Sequence, residues 1–377
     1  MTSKELLPSS ASQFSKQSYW ERFFGKRGAA AFEWYGEWKD LHDHITPHLT
    51  ASSRVLVIGC GNSDFSEQMW TNGYRHLLSI DYSETVIKQM QAKNQARHGC
   101  QPEGLEYKQM DLHDIKADAE SFDVIMDKAC LDALVTDPSL AVFQDVSSMI
   151  DETIRVLTKT QGTYICVTLA QTHVLKFLLT KFAVGWEGVV TQAVSVEAQA
   201  SLSSFIFAFT RGTPGVPTTL KIDLDETDSM FGVDGRKQGV SRDVAYVELG
   251  LEEPRRRSRP AAFQFGGMRA RAAQSTSKEE SEPNVGTVRL AAFEKVAARL
   301  DGARKMLYAQ KELKQLQFSG LKSVFDEPAL VQRECSRAIF CCWQVASDTA
   351  LKFLLLVGVR QQQVAVGAVS LGTKFLS

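Results

Sequence analysis

The stretch Val55-Leu-Val-Ile-Gly59-Cys60-Gly61-Asn62-Ser63 decides the fold. Its opening Val-Leu-Val-Ile run is apolar and mostly β-branched, which predicts a short buried strand. The residues from Ser63 to Asn72 then carry apolar side chains at helical spacing. A strand that ends in Gly-x-Gly and runs into a helix lets the backbone approach a ligand closely, because glycine has no Cβ. An ordinary tight turn has the same pattern, so the turn alone does not establish a binding site.

Strands and helices alternate from this unit to about residue 210. Further strands are predicted at Leu77–Asp81, Leu105–Lys108, Phe122–Asp127 and Gly162–Leu169, with helices after Ser83 and over Val142–Leu157. This alternation predicts an α/β fold with a mostly parallel sheet and helices on both faces. Two closing strands, at Trp186–Val190 and Ser204–Phe209, are expected to be antiparallel.

Composition excludes several classes of protein. The chain has 377 residues, of which 44% are hydrophobic and 23% are charged, as in soluble globular proteins. A net charge of -1 argues against a nucleic-acid partner for the whole chain. The seven cysteines have neither disulfide nor metal-site spacing, which favours a reducing compartment and no metal. No signal peptide is recognisable at the start, and the apolar run Phe353–Val359 is too short to span a membrane.

The sequence changes character near Arg211, where we expect a domain boundary. Residues 1–210 form the predicted α/β domain. Residues 211–288 are predicted to be a largely disordered linker, first acidic and then Arg-rich, with six arginines and no acid between residues 254 and 271. Residues 289–377 are predicted to be a helical or poorly ordered tail of unknown role, with an amphipathic helix that starts near Leu290.

Three acidic residues follow successive predicted strands. Asp81 lies 20 residues beyond Gly61, where its carboxylate can accept both hydroxyls of a ribose. Asp111 is placed to accept a hydrogen bond from an adenine amino group, and Asp127 ends the fourth strand. Because α/β proteins bind ligands at the carboxyl edge of the sheet, the three acids predict a nucleoside-bearing cofactor.

The residue at position 64 discriminates between two such cofactors. A dinucleotide site has a third glycine in the turn, where the helix approaches a pyrophosphate, and here Asp64 takes that place. A carboxylate there would repel phosphate but not the cationic, phosphate-free S-adenosylmethionine. We therefore predict S-adenosylmethionine, with an NAD-dependent oxidoreductase as the alternative.

Several motifs in residues 1–210 resemble those of one family. They are Ser18-Tyr-Trp-Glu-Arg-Phe-Phe-Gly-Lys-Arg-Gly28, Phe32-Glu-Trp-Tyr-Gly36, the glycine turn, Asp127-Lys128 with Leu131-Asp-Ala133, and Leu169-Ala-Gln171. This part of the chain is similar to the N-terminal domain of the methyltransferase-like protein 13 family. The resemblance implies a class I Rossmann-like fold and S-adenosylmethionine as the cofactor. It does not extend to the family's second methyltransferase domain, so N-terminal methylation is not implied.

The resemblance also implies site residues. The cofactor-binding set is Trp20, Phe32, Trp34, Gly59, Cys60, Gly61, Asn62, Asp81, Tyr82, Asp111, Leu112 and Asp127. The implied reaction is methyl transfer to a lysine amine of a protein substrate, translation elongation factor 1-alpha, in the cytoplasm. The candidate catalytic residues are Asp127, to orient the amine, and Asp132. The alternative is a protein that binds S-adenosylmethionine, or acts as a scaffold, without turnover.

Overall fold

Nine strands form one sheet in the computed structural model, which describes residues 8, 10–28, 30–193, 204–225, 242–252 and 287–320. The strand order is β3-β2-β1-β4-β5-β7-β6-β8-β9. The strands are β1 (Val55–Ile58), β2 (Leu77–Asp81), β3 (Leu105–Gln109), β4 (Val124–Lys128), β5 (Thr163–Thr168), β6 (Trp186–Ala193), β7 (Ser204–Arg211), β8 (Thr219–Asp225) and β9 (Arg242–Glu248).

Eight α-helices accompany the sheet in the described part of the chain. They are α1 (Gln17–Arg27), α2 (Trp38–Ile45), α3 (Phe65–Thr71), α4 (Glu84–His98), α5 (Cys130–Leu134), α6 (Leu140–Val156), α7 (Thr172–Lys181) and α8 (Leu290–Gly320). Residues that flank α4 determine where this helix begins and ends. The Ser83 hydroxyl accepts a 3.3 Å hydrogen bond from the Val86 N–H, and Gly99 ends the helix in a left-handed conformation.

The parallel α/β prediction is confirmed. Strands β1 to β5 are parallel, and β7 pairs antiparallel with both β5 and β6, as expected for the closing strands. Residues of β1 are at most 3% exposed, which agrees with the continuous apolar run that predicted a buried strand. The predicted strands and helices of residues 55–211 lie within a few residues of the observed ones.

The linker prediction is wrong in two stretches. Strands β8 and β9 pair antiparallel and continue the sheet beyond β6. In β8 the apolar residues Leu220, Ile222 and Leu224 are buried and alternate with polar ones, which is the usual pattern of a strand. The acidic residues of this stretch led to its prediction as part of a linker. The Arg-rich stretch 254–271 lies outside the described residues, as does the chain after residue 320.

All nine strands and α8 as far as Ala297 belong to one compact unit, and the rest of α8 belongs to a second. Helix α8 includes the helix expected from Leu290. Within the described residues, none of the helices combines the length and the apolar character that a membrane span requires.

The N-terminal segment is fixed to the sheet near the end of β2. The Gln17 side-chain amide donates a 2.7 Å hydrogen bond to the Tyr82 carbonyl, and Glu21 accepts one of 2.8 Å from the Glu84 N–H. Helix α1 therefore lies beside the carboxyl edge of the sheet, where α/β proteins bind ligands.

Candidate active site

A cavity of about 1070 Å³ lies at the carboxyl ends of the first four parallel strands. It is large enough for a nucleoside cofactor together with part of a second substrate. Its walls include eleven of the twelve predicted cofactor residues, namely Trp20, Phe32, Trp34, Gly59, Cys60, Gly61, Asn62, Asp81, Tyr82, Asp111 and Leu112. The predicted catalytic residue Asp132 also lines it.

The glycine turn after β1 requires both glycines. Gly59 has φ +57° and Gly61 has φ +52°, a left-handed region that L side chains rarely adopt. A Cβ on Gly59 would lie 2.6 Å from Sγ of Cys130, whereas one on Gly61 would meet Phe24 at 3.5 Å. The backbone of this turn therefore forms a wall of the cavity without side chains at the two positions.

Asp81 links the end of β2 to this turn. Its Oδ2 accepts a 3.0 Å hydrogen bond from the Gly61 N–H, and its Oδ1 accepts one of 2.9 Å from the Ser83 N–H. Burial raises the pKa of Asp81 to about 6, although these two hydrogen bonds favour the charged form. The carboxylate is thus fixed in the wall where a ribose was predicted.

Asp111 lies at the rim of the cavity, after β3. Its Oδ1 accepts a 2.9 Å hydrogen bond from the His113 N–H and lies 3.0 Å from Nδ1 of the same histidine. Nε2 of His113 is 3.1 Å from Oδ1 of Asp145, so the loop after β3 is joined to α6. The structure places Asp111 with Leu112 in the cavity wall, as the resemblance implied.

Aromatic side chains close another side of the cavity. Trp20 stacks on Phe24 with ring centroids 5.6 Å apart, and its indole N–H donates a 2.6 Å hydrogen bond to the Phe14 carbonyl. Phe32 packs edge-on against Trp34 at 4.7 Å. Aromatic faces attract cations by roughly 0.5–2 kcal/mol, so this wall suits a positively charged ligand.

Asp127 does not line the cavity, which corrects its predicted role in orienting the amine and binding the cofactor. The residue is fully buried below the floor. Its Oδ1 accepts hydrogen bonds of 2.9 and 3.2 Å from the N–H groups of Cys130 and Leu131, and its Oδ2 accepts one of 2.7 Å from the Tyr164 hydroxyl. Burial raises its pKa to about 6. The carboxyl group fixes the start of α5, and sequence position at a strand end could not show that it faces inward.

Asp132, the other predicted catalytic residue, lines the cavity. Its Oδ1 accepts a 3.2 Å hydrogen bond from the Leu169 N–H. Its Oδ2 is buried and accepts no hydrogen bond of normal geometry from the described residues, although the hydroxyl groups of Tyr35 and Thr168 lie close enough to the carboxyl group to oppose the rise of its pKa. Burial raises the pKa of Asp132 to about 7, and the nearby charge of Asp127 adds to the shift. A buried acceptor without a hydrogen bond of normal geometry is costly, so Oδ2 is suited to a donor supplied by a ligand.

Asp64 does not have the position assumed for it. Its carboxylate is directed away from the cavity, where it forms ion pairs with Lys93 and Arg97 of α4. The acid that contacts the turn is Glu33 instead, and its carboxylate is paired with Lys128. Oε1 of Glu33 accepts a 2.7 Å hydrogen bond from the Asp64 N–H.

Three residues of the wall were given no individual role by the sequence analysis, although the resemblance implies that the loop from Phe32 to Tyr35 lines the pocket. Glu33 and Lys128 form an ion pair of 2.8 Å, and both line the cavity. Tyr35 also lines it, and burial together with the charge of Asp132 raises the pKa of its hydroxyl. Glu33 and Tyr35 were present in the quoted aromatic motif, but no spacing rule pairs a residue with one 95 positions away.

The charges of the wall favour a cationic, phosphate-free cofactor. The described lining has seven carboxylates, one lysine and no arginine. The lysine, Lys128, is already paired with Glu33. Such a wall repels phosphate and attracts a positive charge, so the residues present fit S-adenosylmethionine and do not fit NAD.

Comparison with known proteins also indicates a methyltransferase. Residues 49–186 match a family described as a methyltransferase domain. The human "eEF1A lysine and N-terminal methyltransferase" is 40% identical over 225 residues, which cover 58% of this chain and 32% of that protein. The bovine "EEF1A lysine methyltransferase 4" is 33% identical over 174 residues, which cover 44% of this chain and 66% of that protein.

A solved S-adenosylmethionine-dependent methyltransferase from Methanosarcina mazei aligns at 16% identity and a TM-score of 0.37, over 46% of this chain and 99% of that one. The matched part of this chain spans about a third of the length of the relatives that carry the dual name. The glycine turn and Asp81 lie within residues 49–186, which match the family model. The front half of the chain therefore contains an S-adenosylmethionine-dependent methyltransferase domain, and it is similar to the eEF1A lysine and N-terminal methyltransferases.

Proposed function

We propose that this chain transfers methyl groups to a lysine side chain of translation elongation factor 1-alpha. The names of its relatives support the substrate. The observation that carries the chemistry is the buried carboxyl group of Asp132 in an acidic cavity, whose Oδ2 accepts no hydrogen bond of normal geometry in the described structure. An amine is a hydrogen-bond donor and, when protonated, a cation, so it matches both properties of this acceptor.

Cofactor binding is assigned to the turn and the acids around it. Asp81 would hold the ribose hydroxyls, Asp111 with Leu112 the adenine, and the aromatic wall with Trp20 and Trp34 the positively charged part. When bound, S-adenosylmethionine supplies a methyl group on a positively charged sulfur. The cavity walls exclude water and hold the two reactants in line, which in reactions of this kind lowers the barrier by up to about 7–11 kcal/mol.

Asp132 has two tasks in this proposal. It orients the acceptor amine through Oδ2, and it takes a proton from the ammonium form. A free lysine amine has a pKa of about 10.4, so only about one in a thousand is neutral near pH 7.4. A pKa of about 7 makes Asp132 a better proton acceptor than an exposed aspartate. Tyr35 lies beside this carboxyl group and limits the space around the amine.

The partner is a protein, and we also propose a cytoplasmic location, where a translation factor is found. The described cysteines Cys60, Cys100, Cys130 and Cys166 are free thiols, which agrees with a reducing compartment.

The direct test is a transfer assay with purified elongation factor 1-alpha and methyl-labelled S-adenosylmethionine. Mass spectrometry of the product should find the label on a lysine. Label on the N-terminus alone would contradict the proposal. Calorimetric binding of S-adenosylmethionine without transfer to this substrate or to any protein of a cell extract would support the alternative of a binding protein without turnover.

A further inference from the structure

We propose that Glu33 is a positioning residue: through its ion pair with Lys128 it holds residues 30–36, the aromatic segment, against the glycine turn and so completes the cofactor pocket. The inference rests on cofactor binding in the cavity described above. It assigns a task to two residues that the proposed reaction does not use.

Glu33 joins three elements of the fold. Its Oε1 accepts the 2.7 Å hydrogen bond from the Asp64 N–H at the start of α3. Its Oε2 accepts hydrogen bonds of 2.5 Å from the Ser63 hydroxyl and 2.8 Å from Nζ of Lys128. The Asp64 side chain makes no capping bond to α3, and Glu33, from a distant part of the chain, accepts a hydrogen bond from the backbone N–H of this N-cap residue.

Lys128 anchors the segment from the end of β4. Its Nζ donates a second hydrogen bond, of 3.0 Å, to the Trp34 carbonyl, and it lies 5.6 Å from the centre of the Phe65 ring. The side chains of Lys128 and Glu33 are only 6% and 14% exposed. Removal of one partner therefore leaves an uncompensated buried charge, which disturbs a structure far more than loss of a surface pair.

The backbone conformation of the aromatic segment also indicates that contacts hold it in place. Tyr35 has φ 65°, an uncommon conformation for a residue with a bulky side chain, which persists only where the surroundings impose it. The Asn62 side-chain amide donates a 2.7 Å hydrogen bond to the Ala30 carbonyl and fixes the beginning of the segment. The ion pair fixes its middle, next to Trp34, which faces the cavity.

The chain contains a matched control. Lys93 and Asp64 form an ion pair of similar burial, with side chains 8% and 18% exposed, and Asp64 precedes the same helix α3. Neither residue lines the cavity. Lys93→Met therefore removes a buried ion pair next to α3 without changing the cofactor pocket, and Asp64 keeps its second partner, Arg97.

Calorimetric titration with S-adenosylmethionine provides the first measurement. We expect Glu33→Gln and Lys128→Met each to raise the Kd at least tenfold, and Lys93→Met to change it less than twofold. The double variant Glu33→Gln/Lys128→Met should bind no more weakly than either single variant, because the two residues act as one pair. An unchanged Kd in both folded single variants, or an equal rise in Lys93→Met, would overturn the proposal.

Limited trypsin digestion without any cofactor provides the second measurement. Arg27 ends α1 just before the aromatic segment. We expect cleavage after Arg27, followed by mass spectrometry, to be at least fivefold faster in Glu33→Gln than in the unaltered chain, and unchanged in Lys93→Met. If the unaltered chain fails to bind S-adenosylmethionine, the proposed function fails. Equal cleavage rates in Glu33→Gln and the unaltered chain would instead overturn the role of Glu33.

Discussion

Oδ2 of Asp81 accepts a 3.0 Å hydrogen bond from the backbone N–H of Gly61, and this contact joins the ends of the two neighbouring strands β2 and β1. The same carboxylate holds the Ser83 N–H at 2.9 Å. One side chain thus sets the shape of the glycine turn and the start of α4 before any ligand is present.

We expect Asp81→Ala to raise the Kd for S-adenosylmethionine by about 10- to 100-fold, since hydrogen bonds to a charged group contribute about 1.5–3 kcal/mol. Isothermal calorimetry measures this change. Asp123→Ala is the control, because Asp123 pairs with Arg54 at the opposite ends of the strands and does not line the cavity. An equal loss of affinity in both variants would contradict a specific role for Asp81.

We expect Asp132→Asn to lower the transfer rate by about 100-fold or more, because the amide cannot take a proton, while the Kd for S-adenosylmethionine stays within threefold. In the unaltered chain the rate should rise with pH through about 7, as Asp132 loses its proton. Transfer assays from pH 6 to 9 would show this rise in the unaltered chain. If Asp132→Asn retained full activity, the proton acceptor would be another group.

The same substitution is expected to stabilise the cofactor-free protein above pH 7. The folded-state pKa of Asp132 is about 7, whereas an unfolded aspartate has a pKa near 4, so between these values the folded chain holds a proton that the unfolded chain has lost. The free energy of unfolding contributed by this group falls as pH rises through that window. Asp132→Asn removes the loss and should gain about 1–3 kcal/mol at pH 8 but little at pH 4. Urea unfolding at both pH values tests the sign.

Asp127→Ala should destabilise the fold by about 2–4 kcal/mol, because it leaves the Cys130 and Leu131 N–H groups and the Tyr164 hydroxyl without their acceptor. Chemical denaturation measures the loss. Asp127 does not line the cavity, so this variant should also have little direct effect on cofactor binding. Where Asp127→Ala is still folded, its Kd for S-adenosylmethionine should rise less than that of Asp81→Ala.

The two glycines of the turn should respond differently to alanine. Gly59→Ala places a methyl group 2.6 Å from Sγ and 2.9 Å from Cβ of Cys130, whereas Gly61→Ala meets only the Phe24 ring at an ordinary distance. Both positions also have positive φ. We expect thermal unfolding to show the larger loss in Gly59→Ala, by at least about 1 kcal/mol. Addition of Cys130→Ala should recover only part of it, because the Cβ contact remains. Equal losses in the two glycine variants would contradict the close approach.

The order of strands and the cofactor turn could be predicted because each depends on local patterns. A continuous apolar run, a glycine pair and an acid 20 residues later are all visible along the chain. The side-chain directions of acids at strand ends are not visible in this way. Asp127 faces inward to Tyr164, whereas Asp132, five residues later in α5, reaches the cavity.

S-adenosylmethionine is the correct cofactor class, but the prediction depended on the carboxylate of Asp64, which does not line the cavity. The carboxylate of Asp64 lies against Lys93 and Arg97, and the acid that contacts the turn is Glu33. A contact between residues about 30 positions apart depends on how the N-terminal segment folds back, which periodicity does not describe. Strand β8 was missed for a different reason, since its alternation was hidden among acidic residues.

The pairing of β8 with β6 has a practical consequence for anyone who shortens this protein. A cut after Arg211 would remove the partner of Glu187–Val190 and leave the N–H and C=O groups of β6 open along one side. Open strand edges recruit other chains, so such a fragment should precipitate or self-associate. Expression boundaries are better placed beyond Ala297, so that the antiparallel β8–β9 pair and the part of α8 in the same compact unit are retained.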